Sequence, residues 1–179
     1  MSRVDHGQAG LAAVMIRRLV LVSVIVSSVA CRDTGLTPAE QLIVGQYLTC
    51  IDCVVALDSV RALAGRKSDA TVDTLGRALL VGPGAVDSAG AYDVIQAGFA
   101  RDSAWRAQQG LPPLPDRLSY VGAASALYVD GYRAQGAVAL GWIHTPRAVQ
   151  LLDSALTLPL SRELRRAVLY ARDSLPRQR

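Results

Sequence analysis

Residues 131–157 have the sequence GYRAQGAVALGWIHTPRAVQLLDSALT. Most residues up to Ile143 are small or aliphatic. Thr145 followed by Pro146 is a typical start of a new helix, with a capping hydroxyl and proline at the first helical position. Leu152 and Leu156 then continue at helical spacing. The stretch therefore predicts two helices joined by a tight turn, the first of them over residues 131–143.

The rest of the chain carries the same kind of pattern. Thr37, Pro38 and Glu40 form a capping box with proline at the first helical position, and helical spacing of apolar residues continues to Gly65 and beyond Ser68. Further helices are expected over about 88–109 and 116–129, separated by the stiff linker LPPLP at 111–115. Because no segment alternates with period two, we predict an all-α fold of seven to nine helices within residues 37–175.

A shift of the sequence by 77 residues aligns two helical hairpins. Ala62, Leu63 and Ala64 fall on Ala139, Leu140 and Gly141, and the capping residues Ser68 and Thr145 coincide. The segment 131–157 resembles a HEAT repeat of the bacterial HEAT-like kind, and residues 50–81 resemble it more weakly. The resemblance implies a short α-solenoid at 37–175, in which each hairpin packs only against its neighbours, and a non-enzymatic scaffold that binds an unknown protein partner.

The first 30 residues have the features of a bacterial signal peptide. Arg17 and Arg18 precede a twelve-residue apolar run, 19–30, that is too short to span a membrane. Met15 is predicted to be the true start of translation, so residues 1–14 would be an extension from a wrongly assigned start codon. The sequence of Ser28 to Cys31 resembles a lipobox, so Cys31 is predicted to become the lipidated first residue of the mature chain.

A lipid on Cys31 would attach the protein to a membrane of the bacterial cell envelope, facing the periplasm or the exterior. Residues 31–36 would then be a short tether before the helical domain. Ordinary signal peptidase cleavage after Ala30 is the competing expectation. It would release a secreted helical domain with a free Cys31 that could form an intermolecular disulfide.

Cys50 and Cys53 form the sharpest local motif, a CxxC at a predicted helix start. A structural disulfide is the expected role, because lipidation of Cys31 leaves these two as an even pair. Thiol–disulfide redox activity is the alternative, since a helix N-terminus lowers a thiol pKa. A zinc site would need two more ligands, which this region lacks, so no metal site is predicted.

The sequence predicts no enzyme and no cofactor. The net charge of +4 is small and no basic block is interleaved with aromatic residues, which argues against nucleic-acid binding. His144 is expected in a turn, and no nucleophile motif accompanies it. Neither paired carboxylates nor a phosphate-binding loop indicates a small-molecule substrate.

Two surface features are candidates for partner binding. Tyr120, Tyr128 and Tyr132, close to the LPPLP linker, are the aromatic residues proposed to contact a partner. The last helix, which Ser161 caps, is basic and amphipathic, and it is expected either to close the end of the solenoid or to lie on an anionic membrane. Residues 176–179 form a tail.

Overall fold

A computed structural model describes residues 35–49 and 57–174. Within these ranges the chain forms α-helices and no strand, so the predicted all-α fold is confirmed there. The seven described helices are α1 (Pro38–Thr49), α2 (Leu57–Gly65), α3 (Asp69–Val81), α4 (Ala85–Gln108), α5 (Arg117–Ile143), α6 (Pro146–Leu156) and α7 (Arg162–Asp173).

The predicted capping box begins α1. The backbone N–H of Thr37 donates to Glu40 Oε2 at 2.9 Å, and the backbone N–H of Glu40 donates to Thr37 Oγ1 at 3.3 Å. The hydrogen bonds that the Thr37 backbone N–H and hydroxyl donate to Glu40 Oε2, followed by the nearby Arg66 guanidinium, lower the pKa of the Glu40 carboxyl. Arg66 lies 2.7 Å from Glu40 Oε1 and so connects the start of α1 with the turn after α2.

Helix α5 is the centre of the fold and packs against each of the other six described helices. It runs without a break for 27 residues, so the expected division between Val129 and Gly131 is wrong. A glycine inside a helix costs about 1 kcal/mol relative to alanine. Packing on both halves of α5 offsets that cost, since α4 covers the first half and α3, α6 and α7 cover the second.

Two helical hairpins that are related by the 77-residue offset have the same local geometry. One is formed by α2 and α3, and the other by the end of α5 and α6. Lys67 and His144 occupy the same turn position, both in left-handed conformation with φ of 54°. Ser68 and Thr145 follow them, and each side chain accepts a hydrogen bond from the backbone N–H three residues later. The corresponding core positions are also buried: Val60, Leu63, Leu75 and Ala78 in one hairpin, and Ala137, Leu140, Leu152 and Ala155 in the other.

Glycines let α5 approach two neighbouring helices closely. A Cβ at Gly136 would lie 3.0 Å from the backbone O of Leu75 and the backbone N of Leu79. A Cβ at Gly141 would lie 2.9 Å from the backbone O of Ala171. The contact with α3 is strengthened by Arg133, whose Nε donates to the Leu79 carbonyl at 2.8 Å.

Helix α4 and the first half of α5 form a helical arm, defined as residues 85–131. None of the 24 residues of α4 is buried, and α5 is the helix against which it mainly packs. The LPPLP linker is non-helical, as predicted, and Arg106 Nε fixes it by donating to the Pro112 carbonyl at 2.6 Å. The arm therefore presents much of its apolar surface to solvent.

Candidate functional site

The three cysteines lie outside the described residues. The lipidation of Cys31 and the pairing of Cys50 with Cys53 therefore stay predictions from the sequence.

Tyr132 belongs to the hydrophobic core, with only 8% of its surface exposed. Burial first, and then the nearby carboxylate of Asp87, raise the pKa of the Tyr132 phenol to about 12. Its ring lies 6.3 Å from that of Tyr128, which is half-buried and whose pKa is raised for the same two reasons. These two of the three predicted contact tyrosines thus lie together and serve packing between the arm and the core.

Tyr120 lies near the start of α5, three turns before Tyr132, and contacts α4. Its ring is 5.2 Å from that of Phe99, and its hydroxyl lies 3.5 Å from Asp102 Oδ2. An aromatic pair of this kind stabilises packing by about 0.5–1.5 kcal/mol beyond the buried area. Tyr120 therefore holds the two helices of the arm together while keeping part of its surface exposed.

A cleft of about 260 Å³ lies between the two helices of the arm. It is lined by Tyr92, Gln96, Arg117, Leu118 and Val121. The Arg117 guanidinium donates to the Gln96 side-chain carbonyl across the cleft. The volume is below the range of about 300–1,000 Å³ that is usual for small-molecule sites, so the cleft suits a side chain of a protein partner better.

Sequence reasoning missed Tyr92 and Leu118, the most prominent apolar residues of this cleft. Leu118 is 85% exposed and Tyr92 is 47% exposed. Leu118 lies one turn before the buried Val121 on the same helix, so the apolar periodicity would class it with the core. The path of α4 leaves it uncovered, and no local sequence feature indicates that path.

Helix α7 has its apolar side in the core. Leu164, Val168 and Ala171 are at most 1% exposed, whereas Arg162 and Arg166 face solvent. Arg172 and Asp153 form an ion pair, with Nε 2.5 Å from Oδ1, that connects α7 with α6. The apolar side of α7 therefore packs within the fold, against α5 and α6.

Within residues 35–49 and 57–174, no group of three or more His, Cys, Asp or Glu side chains is placed to hold a metal ion. None of the described helices is both long and apolar enough to span a bilayer.

Comparison of the chain with protein-family models, with curated proteins and with solved structures finds no match.

Proposed function

We propose that this chain is a lipid-anchored, non-catalytic protein-binding scaffold of the bacterial cell envelope, and that the helical arm is its binding element. The observation that carries the proposal is the concentration of exposed apolar side chains on the arm. Among the residues that the structure describes, seven of the eleven exposed large apolar ones lie there. They are Val86, Tyr92, Val94, Trp105, Leu111, Leu118 and Leu127.

The arm is well suited to contact a protein. Contiguous exposed apolar surface on a folded protein typically marks an interaction site. Tyr92 and Leu118 both line the cleft, and Arg117 adds a charged group to the same lining. Aromatic residues and arginine are the side chains most enriched at the energetic centres of protein interfaces.

The lipid anchor is supported by the sequence from Ser28 to Cys31 and by the short apolar run before it. Intact-mass spectrometry of the native protein tests this part. The expected mass is that of a chain beginning at Cys31 and carrying diacylglycerol, and Cys31→Ser should abolish the modification. An unmodified chain with a free Cys31 would instead support the secreted alternative.

The HEAT-like arrangement is a proposal for the two hairpins that share the 77-residue offset. Their equal turn conformations and equivalent buried positions support it. A regular solenoid has hairpins that contact only their neighbours, whereas α5 packs against all six other described helices. We therefore confine the proposal to these hairpins and treat α5 as a central helix that both share.

The binding role of the arm can be tested by comparing two leucine variants in co-purification from native membranes. Leu118→Glu changes a side chain that is 85% exposed, and Leu169→Glu makes the same change at a 39% exposed position of α7. We expect the amount of partner that co-purifies with Leu118→Glu to fall at least tenfold, and the amount that co-purifies with Leu169→Glu to stay unchanged. Equal retention by both variants, with unchanged circular dichroism, would contradict the role of the cleft.

A further inference from the structure

The side of α4 that faces away from α5 is largely apolar from one end of the helix to the other. All residues on this side, here called the outer face, are exposed. Of the fourteen exposed residues of α4, only Asp93 and Arg101 are charged. The outer face comprises Val86, Ala89, Gly90, Asp93, Val94, Ala97, Ala100, Arg101, Ala104 and Trp105.

This composition indicates a second packing surface. A helix on the surface of a globular protein normally has an apolar stripe toward the core and polar residues on the other side. Helix α4 carries apolar residues on both sides, and the exposed large ones include Val86, Val94 and Trp105 at 54%, 72% and 53% exposure. Single exposed apolar residues are ordinary, but a row of them along a 24-residue helix is typical of an interface.

The two charges show which partner fits. Asp93 lies four residues before Ala97, and Arg101 lies four residues after it. If two copies of α4 pack antiparallel about a two-fold axis at Ala97, Asp93 of each copy faces Arg101 of the other. We propose that the outer face binds a second copy of this chain in this antiparallel arrangement. The inference rests on the proposed role of the arm in binding and names one of its partners.

Side-chain sizes on the outer face are complementary in the same arrangement. Gly90, Ala97 and Ala104 are seven residues apart, the spacing that keeps residues along one seam of paired helices. Small residues at this seam allow the two helices to approach closely. Trp105, the largest side chain of the face, would lie opposite Ala89 of the second copy, where there is room for it. The interface is isologous, as is usual in symmetric dimers.

Within one chain, Asp93 and Arg101 cannot pair with each other. Asp93 and Arg101 are eight residues apart, about 12 Å along the helix axis, which is too far for an ion pair. The residues one turn from each of them are uncharged, namely Ala89, Gly90, Gln96, Ala97, Gly98, Ala104 and Trp105. Arg101 does lie 3.2 Å from Asp102, a contact between adjacent and largely exposed side chains that contributes little.

Charge reversal provides a direct test of the pairing. Full-length chain in mild detergent is examined by native mass spectrometry and by co-purification of two differently tagged copies. Asp93→Arg alone and Arg101→Asp alone each bring like charges together, and we expect each to weaken dimerisation at least tenfold. An equimolar mixture of the two single variants restores opposite charges at both contacts, so we expect it to form a heterodimer. The double variant D93R/R101D should dimerise like the unmodified chain.

A second pair of variants tests the position of the axis. Ala97→Glu places two carboxylates next to each other on the two-fold axis and should abolish the dimer. Ala123→Glu makes the same change at an exposed position of α5 and should leave the dimer intact. Both positions are exposed in the single chain, so folding is expected to be unchanged, as circular dichroism can verify.

Three results would overturn the inference: an unmodified chain that stays monomeric at high concentration, equal effects of the two glutamate variants, or no heterodimer in the mixture. A monomeric chain that still loses a membrane partner through Leu118→Glu would refute self-association and leave the proposed function standing. A dimer that depends on Ala97, combined with no effect of Leu118→Glu, would refute the role of the cleft alone.

Discussion

The glycines of α5 offer the most sensitive test of how this helix packs. In a helix interior, Gly→Ala normally stabilises a protein by about 0.5–1 kcal/mol. At Gly141 the added Cβ would lie 2.9 Å from the backbone O of Ala171, and at Gly136 it would lie 3.0 Å from the backbone of Leu75. Backbone atoms cannot rotate away, so α7 or α3 would have to shift.

Forcing extra volume into a packed interior costs about 1–3 kcal/mol. After the gain in helix propensity of about 0.5–1 kcal/mol is subtracted, Gly136→Ala and Gly141→Ala should each lower the free energy of unfolding by about 1 kcal/mol, and by no more than about 2.5 kcal/mol. Gly122→Ala is the matched control, because Gly122 lies in the same helix and a Cβ there meets no atom within 4 Å. That variant should raise the free energy of unfolding by about 0.5–1 kcal/mol.

Urea denaturation followed by far-UV circular dichroism measures these differences, and thermal melting gives an independent value. A change of 1 kcal/mol corresponds to about 2–4 °C in Tm for a chain near this size. The opposite signs within one helix are the decisive result. If Gly141→Ala and Gly136→Ala stabilised the protein as much as Gly122→Ala, the close packing of α5 against α3 and α7 would be refuted.

Three further predictions concern the core and the cysteines. Leu140→Ala should lower the free energy of unfolding, measured by urea denaturation, by about 2–5 kcal/mol because the side chain is fully buried. Leu169→Ala, at a position that is 39% exposed, should lower it clearly less. Equal losses in the two variants would contradict the assigned core. Burial raises the pKa of Tyr132 to about 12, above the ordinary value of 10, so folding favours the neutral phenol. This preference should contribute on the order of 2 kcal/mol to the free energy of unfolding below pH 10, and the contribution should be lost as the pH rises toward 12. Tyr132→Phe should therefore flatten the decline in the free energy of unfolding that denaturation curves show at alkaline pH. A structural disulfide between Cys50 and Cys53 should have a reduction potential below about −300 mV in thiol-trapping titrations, and a value well above that would favour the redox alternative.

Helix starts and turns were predictable because the atoms that specify them are close in the sequence. The hydrogen bonds of Thr37 with Glu40, and of the Ser68 and Thr145 hydroxyls with the backbone, span three residues each. A capping residue satisfies free N–H groups of the first turn whatever the rest of the chain does. The 77-residue correspondence between the two hairpins follows from the same local chemistry.

The continuity of α5 and the exposure of the arm depend on helices that are distant in sequence. Glycine at 131 suggests a break when only its neighbours are considered, yet helices from both ends of the chain pack along α5 and support it. Leu118 and Val121 share a face and have the same kind of side chain, but α4 covers one of them and leaves the other 85% exposed. Apolar periodicity indicates which side of a helix can be buried. Burial itself requires a partner helix, and the position of that partner depends on the packing of the whole chain.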